Sequence, residues 1–299
     1  MYFERALRPL LVIVVSSLFF ISCKEKIELQ PKFVEPTNTG ISFSNTVQNK
    51  PELNILNYLY FYNGAGTAIA DFNNDGLEDI YFTSNQQADQ LYINKGKLQF
   101  ENNTSSSGIS NSQGWTTGVT TVDINHDGRI DIYISKVSGH LDLKGSNLLY
   151  VNQGNDSSGI PQFKEQAKDY GLALEGLASQ ATFFDYDTDG DLDVFILNHS
   201  LHPNSNYGKG ALRKQKDTIY GDKLLENQNG VFVDVTDTSG IFQSRLGYGL
   251  GISVADINND GYQDIYIGND FFENDYLYIN QKNKTFKEVN STQSALGHS

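Results

Sequence analysis

Asp71-Phe72-Asn73-Asn74-Asp75-Gly76-Leu77-Glu78-Asp79 is the stretch on which the reading of this chain turns, because it returns three more times. The copies are Asp123-Ile124-Asn125-His126-Asp127-Gly128-Arg129-Ile130-Asp131, Asp185-Tyr186-Asp187-Thr188-Asp189-Gly190-Asp191-Leu192-Asp193 and Asp256-Ile257-Asn258-Asn259-Asp260-Gly261-Tyr262-Gln263-Asp264. Places 1, 3, 5 and 9 always carry a side-chain oxygen. That donor set suits a hard cation taking six to eight oxygens, which is calcium. The glycine at place 6 supplies the positive φ that folds the chain back around an ion. With no cation, three or four carboxylates would crowd together and repel. The competing reading is an acidic hairpin turn without metal, since Asn-Asp-Gly favours turns by itself.

An EF-hand opens the same way, but it needs a bidentate Glu at place 12 and flanking helices. Place 12 here is Phe82, Ile134, Ile196 or Ile267. Each ninth-place Asp leads into a β-branched and aromatic run such as Ile80-Tyr81-Phe82 or Val194-Phe195-Ile196, which reads as a strand. The residues before each loop are strand-like too: 67–70, 120–122, 181–184 and 252–255. Each loop therefore joins two strands. Loop three, with Asp187 where the others have Asn, has the most liganding charge and the highest expected affinity.

Loop starts lie 52, 62 and 71 residues apart (71 to 123, 123 to 185, 185 to 256), a period that calls for a repeat architecture. A second phrase follows each loop: Leu91-Tyr92-Ile93-Asn94 to Phe100, Leu149-Tyr150-Val151-Asn152 to Phe163, Leu224-Leu225-Glu226-Asn227 to Phe232, and Leu277-Tyr278-Ile279-Asn280 to Phe286. It gives two more strands, so one unit has four, the make-up of a propeller blade. The expected fold is an all-β propeller of four-stranded blades over residues 39–299, with insertions near 138–144, 155–161 and 198–222.

These repeated phrases resemble the FG-GAP/VCBS family of calcium-binding propeller repeats, related to those of integrin α-subunit heads. The resemblance implies a ring that is usually seven-bladed, with calcium held in several blades. Carried over by position, the ligands are Asp71, Asn73, Asp75 and Asp79; Asp123, Asn125, Asp127 and Asp131; Asp185, Asp187, Asp189 and Asp193; and Asp256, Asn258, Asp260 and Asp264. The backbone carbonyls of Leu77, Arg129, Asp191 and Tyr262 complete them. The side chains of Glu78 and Asp191 are read as solvated. Large surface proteins of Bacteroidetes-type bacteria, some with a C-terminal ASPIC/UnbV segment, are similar, including Tyr62-Asn63-Gly64-Ala65-Gly66 before loop one. The chain is thus expected to be the front of a longer protein. Residues 41–44 and 56–62 are expected to be strands that complete a final blade.

Met1–Ser22 reads as a signal peptide: Arg5 and Arg8 precede an apolar run of 12 residues, Leu10–Ile21, too short to span a bilayer comfortably. Cys23 follows Phe20-Ile21-Ser22 and resembles a lipobox cysteine, although Phe20 departs from the usual Leu. The other reading is a cysteine lost with an ordinary signal peptide. Residues 23–38 become a lipid-anchored tether, and the protein an exported outer-membrane or cell-surface lipoprotein touching membrane only through its anchor. The remaining chain has no cysteine to form a disulfide. The formal net charge of −14 argues against a nucleic-acid partner, which needs a basic face.

No Gly-x-Ser-x-Gly or His-Glu-x-x-His motif occurs. His199 and His202 could bear zinc or acid–base chemistry, but such a pair is more often a hydrogen-bonded loop feature. Lys209, Arg213, Lys214 and Lys216 form a basic group in the longest insertion, read as a solvated loop or a contact for an acidic glycan or partner. Trp115 reads as core before it reads as a sugar platform. The favoured function is a calcium-stabilised, non-enzymatic surface scaffold that recognises a protein or glycan ligand. The alternative is the propeller portion of a secreted enzyme acting on polysaccharide or lipid.

Overall fold

A computed structural model describes residues 38–110, 114–201 and 209–290. The leader, Cys23 and nearly all of the tether, together with His202, lie outside them. Four antiparallel four-stranded sheets follow one another along the chain. The first comprises β1 (Thr67–Ala70), β2 (Asp79–Phe82), β3 (Gln90–Asn94) and β4 (Phe100–Asn102). The second comprises β5 (Trp115–Val122), β6 (Asp131–Val137), β7 (Leu148–Asn155) and β8 (Pro161–Glu165). The third comprises β9 (Ala178–Phe184), β10 (Asp193–Asn198), β11 (Lys223–Asn227) and β12 (Phe232–Asp234). The fourth comprises β13 (Gly249–Ala255), β14 (Asp264–Asn269), β15 (Tyr276–Asn280) and β16 (Phe286–Glu288). One short α-helix, Thr236–Ser239, and one 3-10 turn, Gly210–Lys214, are the helical pieces among the described residues. No helix among them is long and apolar enough to cross a membrane.

The sheets are propeller blades. Their first strands lie side by side in chain order, β1 by β5, β5 by β9 and β9 by β13. Side-chain alternation, with a period of two, feeds the two faces of each blade into different interfaces. Ile132 and Ile134 of β6 pack toward blade one with Tyr81 and Leu91, while Tyr133 between them packs toward blade three with Val194 and Ile196. Phe195 and Leu197 of β10 turn the other way, against Ile265, Ile267 and Tyr278 of blade four. β6 and β10 are buried along their whole length, which is why they read as unbroken apolar runs rather than alternating ones. Each large side chain buried in this way contributes roughly 1.5–3 kcal/mol.

A second device links blades at their outer edge. The turn after each fourth strand docks on the fourth strand of the next blade: Phe163 N donates to Ser107 O at 2.9 Å and Phe232 N to Tyr170 O at 2.8 Å. Gly108, Gly171 and Gly240 occupy these turns at φ 73°, 76° and 82°. A Cβ on any of them would collide with the carbonyl of Phe163, Phe232 or Phe286. The repeated Phe and the repeated Gly are thus partners across a blade boundary. Gly40 makes the same contact with Phe100, and Phe100 N donates to Thr39 O at 2.7 Å, so residues 39–40 dock on the fourth strand of blade one as those turns dock on theirs.

Two expectations need correction. Residues 41–44 and 56–62 form no strands. The first covers blade one, with Phe43 stacked on Phe82 at 4.8 Å and Ser42 N bonded to the Tyr92 hydroxyl. The second is a series of turns whose Tyr58, Tyr60 and Phe61 pack with Trp115, Val137 and Leu177 at the ends of blades two and three. Aromatic runs resemble strands in sequence, and here tertiary contact rather than a ladder uses them.

Candidate functional site

All four acidic loops leave the first strand of a blade and return as the second. Within each, the backbone turns left-handed twice. Place 6 is the glycine (φ 87°, 80°, 99° and 89°), and place 4 is Asn74, His126, Thr188 or Asn259 (φ 56°, 57°, 63° and 57°). A Cβ on any of these four glycines would meet nothing within 4 Å, so conformation and not space requires glycine. The place-1 carboxylate accepts from the N–H groups of places 5 and 6. In loop three, Asp185 takes Asp189 N at 3.1 Å and Gly190 N at 3.0 Å. The place-5 carboxylate accepts from place 7, as Asp189 does from Asp191 N at 3.1 Å. These bonds turn the remaining lone pairs toward one another.

The ninth-place Asp is held identically in every blade. One oxygen accepts the N–H of place 2 and the other the N–H of the Asn ending the third strand. Asp193, for example, takes Tyr186 N at 3.1 Å and Asn227 N at 2.8 Å. Asp79, Asp131 and Asp264 do the same with Phe72 and Asn94, Ile124 and Asn152, and Ile257 and Asn280. All four are buried. Burial pushes the Asp79 and Asp131 carboxyls up to about 6 and that of Asp193 up to about 7, against the pull of the two N–H groups. The Asn at the end of the third strand also reaches across blades: Asn152 Nδ2 donates to Phe72 O at 2.8 Å and Asn280 Nδ2 to Tyr186 O at 2.7 Å. Each of these donors lies in the blade following the loop it grips.

The donor sets are all oxygen, and loop three gathers most closely. Carboxylate oxygens of Asp185, Asp187 and Asp193 lie within 4.8 Å of one another, the one such acidic group among the described residues. Two buried oxygens there, Asp187 Oδ2 and Asp191 Oδ1, have no hydrogen-bond partner. Lys284 Nζ forms an ion pair with Asp187 Oδ2 at 2.6 Å and with Glu226 Oε1 at 3.0 Å. Asp191 is therefore more enclosed than its sequence place implied, whereas Glu78 is exposed. Loops two and four carry their own cations, Arg129 against Asp127 and Lys282 3.3 Å from Asp260.

One repeated feature escaped the sequence reading. An Asp or Asn two places before each repeated Leu, namely Asp89, Asn147, Asp222 or Asp275, accepts a backbone N–H from the end of the second strand or just beyond it. In three blades it also bonds a second-strand Tyr: Tyr81, Tyr133 or Tyr266. Blade three has Phe195 at that place, and burial pushes the Asp222 carboxyl up to about 8. The fixed offset from Leu was the available signal.

At the opposite end of the blades from the loops is a cavity of about 410 Å³ lined by Tyr58, Tyr60, Thr117, Ser179, His199 and Leu250, among others. His199 is buried at the end of β10. Ser179 Oγ donates to Gly249 O at 2.9 Å, so its lone pair accepts from His199 Nδ1 at 3.1 Å. His199 Nε2 then accepts the Tyr58 hydroxyl at 3.2 Å. Burial, with His140 nearby, pushes this imidazole down to about 3. His199 is thus a fixed, neutral member of a hydrogen-bonded chain. The basic group of the insertion is partly tied down: Arg213 pairs with buried Glu273 at 2.5 Å and Lys216 with Asp237 at 2.7 Å. Trp115 is buried between Tyr58 and Phe61 and belongs to the core.

A propeller whose blades each turn on an acidic nonapeptide defines a class, and the known repeat models match inside it. Residues 71–134 match the FG-GAP-like repeat and residues 248–279 the FG-GAP repeat, so the chain carries FG-GAP repeats. It is similar to cartilage acidic protein 1 of Xenopus tropicalis, 25% identical over 205 residues, covering 68% of this chain and 28% of that protein. It is similar also to cartilage acidic protein 1 of Mus musculus, 24% identical over 231 residues, covering 72% and 32%. The chain therefore spans less than a third of the length of these curated relatives. Among solved structures, the V. cholerae biofilm matrix protein Bap1 aligns over 75% of this chain and 28% of its own, with 18% identity and a TM-score of 0.39.

Proposed function

We propose that this chain is a calcium-stabilised, non-enzymatic binding scaffold displayed outside the cell, recognising a protein or a glycan. The observation that carries the calcium reading is the fourfold ninth-place Asp, buried and oriented by two N–H donors, facing further oxygen ligands across a left-handed turn. The ligands would be side chains at places 1, 3, 5 and 9 with the carbonyls of Leu77, Arg129, Asp191 and Tyr262. An all-oxygen set, gathered most closely in loop three, fits a hard cation. Bound calcium would neutralise the crowded carboxylates and fix the loop of each hairpin. Export by the Met1–Ser22 leader and tethering through Cys23 to a cell surface complete the proposal, supported by the leader sequence.

The enzyme alternative would need chemistry from His199 or Arg213. The first is hydrogen-bonded at both nitrogens, and the second is held by Glu273. Both contacts favour a structural use.

Calcium titration with metal analysis, and melting in calcium against EDTA, test the proposal. Each site saturated at one hundred times its Kd adds about 2.7 kcal/mol. At about 2–4 °C per kcal/mol for a domain of this size, chelation should lower the melting temperature by more than about 10 °C. Asp75→Ala or Asp260→Ala should reproduce part of that loss. An unchanged melt together with no bound calcium would overturn the reading.

A further inference from the structure

We propose that the cavity roofed by Tyr58 and Tyr60 and walled by Thr117, Ser179 and Leu250 binds a neutral, hydroxyl-rich ligand, a sugar residue or comparable polyol. This inference rests on the reading of the chain as a binding scaffold and gives that scaffold a place and a ligand chemistry. Three observations carry it.

The walls are built by a repeated irregularity. The ladder register shifts between Thr116 and Gly118 in β5, between Ala178 and Gln180 in β9, and between Gly249 and Gly251 in β13. The residues set out of register are therefore Thr117, Ser179 and Leu250, and all three line the one cavity. Bulges re-aim a side chain and are over-represented beside functional sites. Three of them at one level of consecutive blades bring to a single place residues more than sixty positions apart in sequence.

The polar groups match hydroxyls and not ions. Thr117 Oγ1 donates to Ala178 O at 2.6 Å and Ser179 Oγ to Gly249 O, so both present lone pairs. Tyr58 spends its proton on His199 and likewise keeps a lone pair. Tyr60 is buried, and its hydroxyl, which has no partner in the protein, is closed off from the cavity. Uncharged acceptors of this kind complement the O–H donors of an alcohol. None of the lining residues named carries a formal charge to pair with an ionic ligand.

The aromatic walls and the volume suit a sugar ring. Tyr60 meets His199 edge-on at 4.4 Å and Tyr58 meets Trp115 at 5.4 Å, so the aromatic residues at the cavity are held stiffly by packing. A cavity of about 410 Å³ lies in the range of ligand pockets and exceeds one hexose. The site is also separate from the acidic loops. Ser179 and Asp185 lie six residues apart along β9, roughly 20 Å at the strand rise.

The test is titration of the purified chain in calcium with glucose, galactose, mannose, maltose and cellobiose, with glucuronate as the charged control, read by saturation-transfer NMR and calorimetry. At least one neutral sugar should bind, and glucuronate should bind more weakly than its neutral counterpart. Thr117→Val, which keeps the shape and removes an acceptor, should weaken binding roughly fivefold. Leu250→Trp, at a half-exposed position on the rim, should abolish binding without moving the melting temperature. Absence of binding by every neutral sugar at about 20 mM, where a millimolar Kd would saturate the site, overturns the proposal. So does binding that both variants leave intact, or glucuronate binding as tightly as glucose. If EDTA lowers the melt while no sugar binds, the scaffold reading survives and this one falls. If a sugar binds while EDTA changes nothing, the cavity stands and the calcium reading falls.

Discussion

At one end of β9 the chain enters Asp185 to Asp193; at the other, Ser179 and His199 close a cavity under Tyr58. Within its nine residues the first end is held by bonds two to seven places long, such as Asp189 N to Asp187 and Tyr186 N to Asp193. Only its anchoring to Asn227 and Asn280 comes from farther off. It recurs in four copies with the same geometry. The second joins Tyr58 to His199 across 141 positions and Ser179 to Gly249 across 70, and it occurs once. The loop end concentrates charge that local turns orient. The cavity end has fixed, neutral hydrogen bonding that several blades must supply together. Strand ends of a single sheet can therefore take opposite electrostatic roles, because one end is governed by nearest neighbours in sequence and the other by neighbours in space.

The comparison breaks first at Asp193. Asp193→Ala strips acceptors from the buried Tyr186 and Asn227 amides and should cost about 3–5 kcal/mol. Urea unfolding with and without calcium should show the loss growing when calcium is present, since one site disappears with the side chain.

His199→Leu should cost about 2–3 kcal/mol by unpairing Tyr58 and Ser179, by the same amount in calcium and in EDTA. Its pH dependence is distinct. Folded His199, facing Tyr58, Tyr60 and Ser179 with His140 nearby, resists a proton until about pH 3. The unfolded residue accepts one near pH 6.5. The contribution is therefore whole above that value and is lost as pH falls toward about 3, at about 1.4 kcal/mol per pH unit. Wild type and variant should meet in stability about two pH units below 6.5, with the variant the more stable below that, in parallel urea titrations. A constant gap would show that the imidazole is not held neutral.

Gly190→Ala isolates the turn. The backbone stands at φ 99° with open space where the new methyl would go, so about 1–2 kcal/mol of conformational strain is expected. Thermal melts beside Gly251→Ala, also open to a Cβ but not at positive φ, would separate conformation from bulk. The smallest effect on stability without metal is expected for Asp187→Asn, which makes loop three resemble the others. Calorimetry should show its calcium affinity falling severalfold while the EDTA melt is nearly unchanged.

Much of the architecture was legible because each blade restates it. The strands preceding the loops were expected at 67–70, 120–122, 181–184 and 252–255, and they run Thr67–Ala70, Trp115–Val122, Ala178–Phe184 and Gly249–Ala255. The extra residues at the start of β5, β9 and β13 contain the three bulges, whose mixed Thr, Gly and Ser composition hides them from a two-residue alternation. Phe100, Phe163, Phe232 and Phe286 were visible as a repeated mark, but their glycine partners are in the neighbouring unit, where no local pattern pairs them.

Nine consecutive residues determined by themselves where the chain reverses, which oxygens face inward and how many blades are written, because those forces act over one turn of backbone. The tertiary structure alone decided what Tyr58, Tyr60, Thr117, Ser179, His199 and Leu250 share. Their meeting depends on the stacking of separate sheets, and stacking is set by apolar faces summed over whole blades, in which no single residue names its neighbour.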